Sequence, residues 1–201
     1  MAECLKLFVC GSLSEGMVHF QKISAFVLSS RPAKSRGTVF RLEVGYPVFS
    51  HVGSDVIHGH VFEIKNDELV QALLDSFHGV HPKNPERSVY FRESVQVETA
   101  DGKLEQVAVY SVNLKKLPDS TRRIEGGHWT QDFEKNPPMT FQLTDRQKEY
   151  IRKLGQSSGR DIVPIKDLEL YRQLMGRGLI VDKGRRLALT RLGQDVFRYL
   201  E

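Results

Sequence analysis

His78 is a residue whose type and position could do acid–base chemistry. It ends the segment LLDSFHGV, residues 73–80, and precedes Gly79, which permits a left-handed turn and a close approach by backbone or ligand. Because an imidazole titrates near neutral pH, His78 could accept a proton from a substrate. The alternative is an ordinary residue at the end of a helix, where a positive charge suits the helix dipole.

The loop after the first predicted strand contains a glycine. That strand covers residues 5–10 and leads into Gly11, Ser12 and Leu13. Glycine in such a turn permits a close approach by a ligand. Taken alone, the same residues would be an ordinary turn at a strand end.

The other histidines do not have the spacing of a metal site. His58 and His60 flank Gly59 on one predicted strand, and His81 lies near His78. Neither a cysteine pair nor a His-Glu-x-x-His motif accompanies them. Glycine-rich phosphate loops are also absent from the sequence. We therefore predict neither a metal nor a cofactor.

The elements around these residues indicate a mixed fold. Apolar residues at helical spacing predict a helix over residues 67–77 that ends at His78. Asp101 and Gly102 lie between two β-rich runs and predict a two-residue hairpin turn. Residues 18–30 have an ambiguous pattern that is closer to a helix than to a strand. Since strands and helices do not alternate regularly, we predict an α+β barrel with flanking helices.

The last part of the chain predicts a second, smaller domain, so that the domains cover residues 1–138 and 139–201. Thr144 and the glutamine three residues later predict a capped helix, and a second helix is predicted over 166–175. A β-hairpin and a helix capped by Thr190 follow. This order resembles a winged-helix module, truncated because one helix fits where a DNA-reading module normally has two.

The hairpin of this second domain is a candidate contact surface. Lys183, Arg185 and Arg186 are its basic residues. Residues 141–201 carry 13 Lys+Arg against 8 Asp+Glu, net +5, whereas the remaining residues have net −1. Basic side chains bind phosphates by a salt-sensitive attraction, but a charge run is often only a solvated face. The predicted partner is therefore either a nucleic acid or a protein.

The bulk properties predict a globular cytoplasmic protein. The chain has 201 residues, of which 40% are hydrophobic and 27% charged. We find no secretory leader and no apolar run near the roughly 20 residues that span a bilayer, so no membrane association is predicted. Cys4 and Cys10 would lie about 20 Å apart on one strand, too far for a disulfide. Free thiols are typical of a reducing compartment.

Five separated segments together resemble the γ-glutamylcyclotransferase-like family, which includes the AIG2-like proteins. In chain order they are LFVCGSL at residues 7–13, GYPVF followed by VIHGHVFEI, LLDSFHGV, VYFRESVQVETADGKLEQVAVY, and IEGGHW ending at Trp129. Their shared order and spacing make the resemblance specific. It covers roughly the first two-thirds of the chain.

The resemblance implies a fold and a chemistry. These enzymes release 5-oxoproline from γ-glutamyl compounds, because the substrate's own α-amine attacks its γ-carbonyl in an intramolecular step. By resemblance, backbone N–H groups of the loop after the first strand would hold the α-carboxylate. The ligand-binding residues that the resemblance predicts are Cys10, Gly11, Ser12, Leu13, Tyr90 and Arg92.

His78 stands where the family has its general-base glutamate. Losing a positioned base costs about 10²–10⁴ in rate, and a neutral imidazole attracts an ammonium only weakly. We therefore predict a degenerate or altered site that binds a small γ-glutamyl or amine-bearing ligand, or a pocket kept for structure. The alternatives are an active cyclotransferase, with His78, Glu63 or Glu93 as base, and a regulator that acts through the basic hairpin. We expect His78 and the loop at residues 11–13 to border one cavity.

Overall fold

The computed structural model describes residues 4–157 and 162–201, which form two compact units. The first unit contains Met1–Leu42 and Tyr46–Lys135, and the second contains Glu43–Gly45 and Asn136–Glu201. The predicted domains, residues 1–138 and 139–201, stay a prediction.

The first unit is built around a closed five-stranded barrel. The strands are β1 (Cys4–Val9), β2 (Val27–Arg41), β3 (Pro47–Lys65), β4 (Tyr90–Thr99) and β5 (Leu104–Val112), with a short β6 (Arg122–Ile124) beside β2. Their order is β3-β1-β5-β4-β2, and β2 pairs back onto β3 to close the ring. β1 and β5 are parallel, whereas the other neighbouring strands of the ring are antiparallel. The predicted α+β barrel with flanking helices is confirmed.

Two apolar clusters form the core of this unit. Alternate residues of the barrel strands, such as Phe8, Val61 and Val109, form the first cluster together with Trp129. The residues of opposite parity on β1 and β3 form the second cluster, which the helix α1 (Glu68–Phe77) covers through Val70 and Leu74. The barrel therefore buries both faces of these strands and holds the end of α1 close to the end of β1.

Two local predictions were wrong. Residues 18–30 form two short 3₁₀ turns, Phe20–Lys22 and Ser24–Phe26, and then enter β2. From Val27 onwards pairing with β3 satisfies the backbone, and such tertiary contacts override a weak local helical pattern. The hairpin near Gly102 has a three-residue loop, since Thr99 N donates to Lys103 O at 2.9 Å and Gly102 adopts φ 76°.

The second unit contains three helices and a small hairpin among its described residues. They are α3 (Asp145–Gln156), α4 (Leu168–Gly176), β7 (Ile180–Asp182), β8 (Leu187–Leu189) and α5 (Arg191–Leu200). A further helix, α2 (Trp129–Lys135), belongs to the first unit. The capping box of Thr144 with Gln147 and the cap by Thr190 are confirmed. The order of elements is as predicted, but the resemblance to a winged-helix module stays a prediction.

Two further observations concern the cysteines and the length of the helices. Cys4 and Cys10 are both free thiols. None of the helices in the described part of the chain combines the length and the apolar character that a bilayer crossing needs.

Candidate functional site

His78 lies at the end of α1, where the sequence predicted it. Asp67 caps the start of this helix by accepting from Val70 N at 2.8 Å, and Gly79 ends it at φ 61°. The Nδ1 atom of His78 lies 2.8 Å from Leu74 O. Because a carbonyl oxygen only accepts, Nδ1 carries the proton and Nε2 is left as the acceptor.

Aromatic rings enclose the imidazole. It stacks on Tyr110 with parallel planes and centroids 3.8 Å apart, and it meets Phe77 and Tyr90 edge-on at 5.0 Å and 5.2 Å. The Tyr110 hydroxyl donates to Asp75 Oδ1 at 2.6 Å, which fixes the stacked ring. The His78 ring is thus packed against aromatic side chains on several sides.

His78 and its neighbours Cys10, Tyr90 and Tyr110 are uncharged at neutral pH. Burial lowers the pKa of His78 to about 4, with a smaller opposing effect from the hydrogen bond to Leu74. Burial also raises the pKa of the Cys10 thiol to about 12 and raises the pKa of Tyr90 and of Tyr110. Protonating His78 at pH 7 would therefore cost about 4 kcal/mol of free energy.

The buried imidazole predicts a loss of stability in acid. Unfolded His78 takes up a proton near pH 6.5 whereas the folded residue does so only near pH 4, so its contribution is complete above about pH 6.5 and falls as the pH falls. We expect the loss to approach about 3 kcal/mol at pH 4. The measurement is urea unfolding of the wild type and His78→Gln between pH 7 and pH 4.

The variant lacks the titrating group, so the advantage of the wild type over His78→Gln should shrink as the pH falls. His81→Gln, at an exposed position, is the matched control and should follow the wild type. Parallel pH profiles for the wild type and His78→Gln would contradict the burial of this ring.

His78 and the turn after β1 border the same cavity, which is small. Cys10, Leu13 and His78 line it together with Phe49 and Tyr110, and its volume is about 30 Å³. That is room for one or two water molecules, far less than a γ-glutamyl group needs.

The loop at residues 11–13 is fixed by its own contacts. Gly11 adopts φ 90°, and a Cβ there would lie 3.0 Å from Pro47 O, so a larger residue would be both strained and crowded. Ser14 N donates to Gly11 O at 3.0 Å, and His19 N donates to Ser12 O at 2.9 Å. These bonds turn the chain sharply beside the cavity.

The structure brings some predicted ligand-binding residues to His78 and not others. Cys10 and Leu13 line the cavity, and Tyr90 contacts the imidazole. Arg92 is exposed and lies against Gln71 Oε1 at 3.0 Å, outside the cavity lining. Tyr110 was not among the predicted site residues. Side chains alternate between the two faces of a strand, so Tyr110 lies on the face opposite to that of Val109, which is the face towards α1.

Neither alternative base reaches the cavity. Glu63 accepts hydrogen bonds from Ser29 at 2.9 Å and from Arg31 at 3.1 Å, and the bond from Ser29 is the main cause of its lowered pKa. Glu93 is exposed on β4. Asp75 is bound to the imidazole stack only through Tyr110, whose hydroxyl donates to its Oδ1.

A closed mixed barrel, with a glycine-containing turn after its first strand and a helix ending beside that turn, defines the class of cyclotransferase-like barrel proteins. The sequence model of the family described as gamma-glutamyl cyclotransferase, AIG2-like, matches residues 7–131, more than half of the chain. The chain belongs to this family.

Several solved structures are similar to this chain. An AIG2-like protein from Mus musculus is 22% identical with a TM-score of 0.45, and the alignment covers 59% of this chain and 82% of that one. YkqA from Bacillus subtilis is 22% identical with a TM-score of 0.48, covering 77% of this chain and 54% of that one. A protein from Arabidopsis thaliana is 19% identical with a TM-score of 0.47, covering 82% and 94%. No match was found among curated protein sequences. The family assignment therefore rests on the match over residues 7–131.

Proposed function

We propose that this chain is a γ-glutamylcyclotransferase-like protein whose inherited site no longer closes the 5-oxoproline ring. The observation that carries the proposal is the cavity beside His78, which measures about 30 Å³ and is bordered by a neutral, stacked imidazole. The site then serves chiefly as a packed junction between α1 and the barrel. We further propose a cytoplasmic location, in keeping with the free thiols.

The proposal follows from what ring closure requires. The substrate's ammonium must lose a proton and be held near a negative charge before its amine attacks the γ-carbonyl. His78 offers a weakly basic Nε2, and the lining of the cavity contains no carboxylate among the described residues. A γ-glutamyl or other amine-bearing ligand enters only if Tyr110 or a neighbouring ring moves aside, and that opening lowers its apparent affinity.

The direct test is an assay for 5-oxoproline. We expect the full chain to release none above the uncatalysed rate from γ-glutamyl amino acids or γ-glutamyl amines. An active family member assayed in parallel is the positive control. The proposal would be overturned if the wild type released 5-oxoproline and the substitution His78→Gln abolished that release.

Restoring the family's glutamate is expected not to restore turnover. His78→Glu would place a carboxyl group against Tyr110 and Tyr90 in a site without room for a substrate, so burial would raise the pKa of that carboxyl and keep it neutral. We expect lower stability and no 5-oxoproline, measured by urea unfolding and by the same assay. Turnover by this variant would show instead that the cavity opens and that only the base is missing.

A second candidate function uses the basic hairpin of the second unit. Lys183, Arg185 and Arg186 are exposed, and none forms a salt bridge with another residue in the described ranges. Unpaired cations on a tight turn favour contact with an anionic partner, either a nucleic acid or an acidic protein surface.

A gel shift at low salt tests this candidate. If the partner is a nucleic acid, changing Arg185 and Arg186 to alanine should reduce binding to duplex DNA or RNA, and added salt should reduce it further. Lys153→Ala, which removes a lysine already paired with Glu149, is the matched control. If the wild type did not change the migration of the nucleic acid, a protein would be the remaining candidate partner of the hairpin.

A further inference from the structure

The first unit contains a second and much larger cavity, which shares no lining residue with the cavity beside His78. Its volume is about 540 Å³, within the range of small-molecule sites. Its walls come from the turn at residues 14–17, neighbouring positions of β2 and β3, the end of β4, and α2. We call it the Trp129 cavity.

Aromatic and aliphatic side chains form the apolar part of the Trp129 cavity. Trp129 and Phe133 lie one helical turn apart on α2, so both rings face the same side of that helix. The Trp129 indole N–H donates to His58 O at 2.8 Å, which fixes the ring against β3. Met17 and Ala33 complete this wall and pack against the barrel core. The wall is therefore preformed for a flat or extended apolar group.

Three carboxylates stand on the rim of the same cavity. Glu15, Glu98 and Glu134 line it, and all three are exposed, so they belong to its solvent-facing edge. None of them pairs with a cation among residues 4–157 and 162–201. Lys34 is the one lysine or arginine in the lining, so the formal charge of these four side chains is negative. An anionic ligand would be repelled here, whereas a cation would be attracted.

A buried hydroxyl gives a second and independent indication of a ligand. Ser14 lines the Trp129 cavity, is 6% exposed, and its Oγ has no hydrogen-bond partner in the described part of the chain. Buried hydroxyl groups in folded proteins are normally bonded, so an unpartnered one next to a cavity calls for an explanation. Because this oxygen has almost no accessible surface, an ammonium group bound in the cavity would supply a donor for it once the Ser14 side chain rotates towards the cavity.

We propose that the Trp129 cavity binds a small organic cation that carries an aromatic or alkyl group. The apolar body lies against Trp129 and Phe133, where an adjacent positive charge also gains from the face of the indole ring. The ammonium end lies towards the glutamates and Ser14. This site is independent of the proposed loss of ring closure, because His78 is not part of its lining.

The test uses 2-phenylethylammonium as the probe and the intact chain as the protein. Trp129 is the only tryptophan in the sequence, so its fluorescence reports on this cavity directly. Saturation-transfer NMR on the probe detects binding that leaves the fluorescence unchanged. We expect saturable binding, at least about tenfold tighter than that of 3-phenylpropionate, which has a similar body and the opposite charge. Ethylammonium, which lacks the ring, should also bind at least about tenfold more weakly than the probe.

Variants of the rim glutamates test whether the probe binds specifically in the Trp129 cavity or is attracted to the protein non-specifically. Glu98→Gln combined with Glu134→Gln should weaken the probe about tenfold or more, because two of the three rim charges are removed. Glu86→Gln, an exposed glutamate outside the lining, is the matched control and should bind the probe as the wild type does. His78→Gln should also bind normally, so a failure here is distinguishable from a failure of the proposed function.

Three results would each overturn the proposal. The first two concern specificity. One is equal affinity for the cation and the anion, and the other is an unchanged affinity in the Glu98, Glu134 double variant whose fold is intact by circular dichroism. The third is no binding of 2-phenylethylammonium at millimolar concentration by either fluorescence or saturation-transfer NMR.

Discussion

Replacing Gly59 by alanine is expected to destabilise the first unit by more than about 3 kcal/mol. Gly59 lies on β3 where β1 passes closest to it. An added Cβ would overlap the Val9 carbonyl oxygen and lie 2.8 Å from Cζ of the Phe8 ring. Neither neighbour has room to move, because Phe8 is 2% exposed and β1 pairs with β3 along its whole length.

Urea unfolding followed by far-UV circular dichroism measures this loss. Gly16→Ala is a suitable control, because Gly16 is exposed and no atom lies within 4 Å of its added Cβ. Its φ of 77° leaves only a backbone cost of about 1–2 kcal/mol for alanine. If the two variants lost equal stability, the close approach of β1 at Gly59 would not be the cause.

Replacing Gly193 by alanine is expected to have a comparable effect on the second unit, also more than about 3 kcal/mol. Gly193 lies in the first turn of α5, and its N–H donates to the Thr190 hydroxyl at 3.0 Å. An added Cβ would overlap the Leu179 carbonyl oxygen and lie 3.0 Å from its carbonyl carbon. Leu179 is fully buried, and Thr190 N donates to the same oxygen at 3.1 Å, so the backbone there cannot give way.

Hydrogen exchange read by mass spectrometry tests both the packing and the predicted division of the chain. If the units unfold independently, Gly193→Ala should lower the protection of α3 and α5 and leave β4 and β5 unchanged. Gly176→Ala, in α4 with open space around its added Cβ, should instead stabilise the protein by about 0.4–1 kcal/mol. Equal loss of protection in both units would contradict the two-domain prediction.

Features that depend on a few neighbouring residues could be predicted from the sequence. The helix α1, its end at Gly79 and the capping box at Thr144 follow from local spacing and backbone chemistry, and all are present. The five family segments also predicted the barrel. The helical prediction for residues 18–30 was wrong because the segment from Val27 onwards pairs with β3, which a local pattern does not show.

The candidate site shows the limit of this reasoning. The residue types at positions 10–13 and 78 predicted a shared cavity, and Cys10, Leu13 and His78 do border one, whereas Gly11 and Ser12 lie outside its lining. Its volume depends on Tyr110, which lies 32 positions after His78 and stacks on it at 3.8 Å. Whether a ligand has room there is therefore set by side chains from distant strands.

The sequence by itself determined the family, the helix that carries His78 and the presence of a histidine at its end, because each depends on residue types at particular places in the chain. Only the tertiary structure decided that the imidazole is neutral and closely packed, and that a larger cavity lies beside Trp129. The physical reason is that burial, and the space between side chains, are properties of several elements meeting in three dimensions.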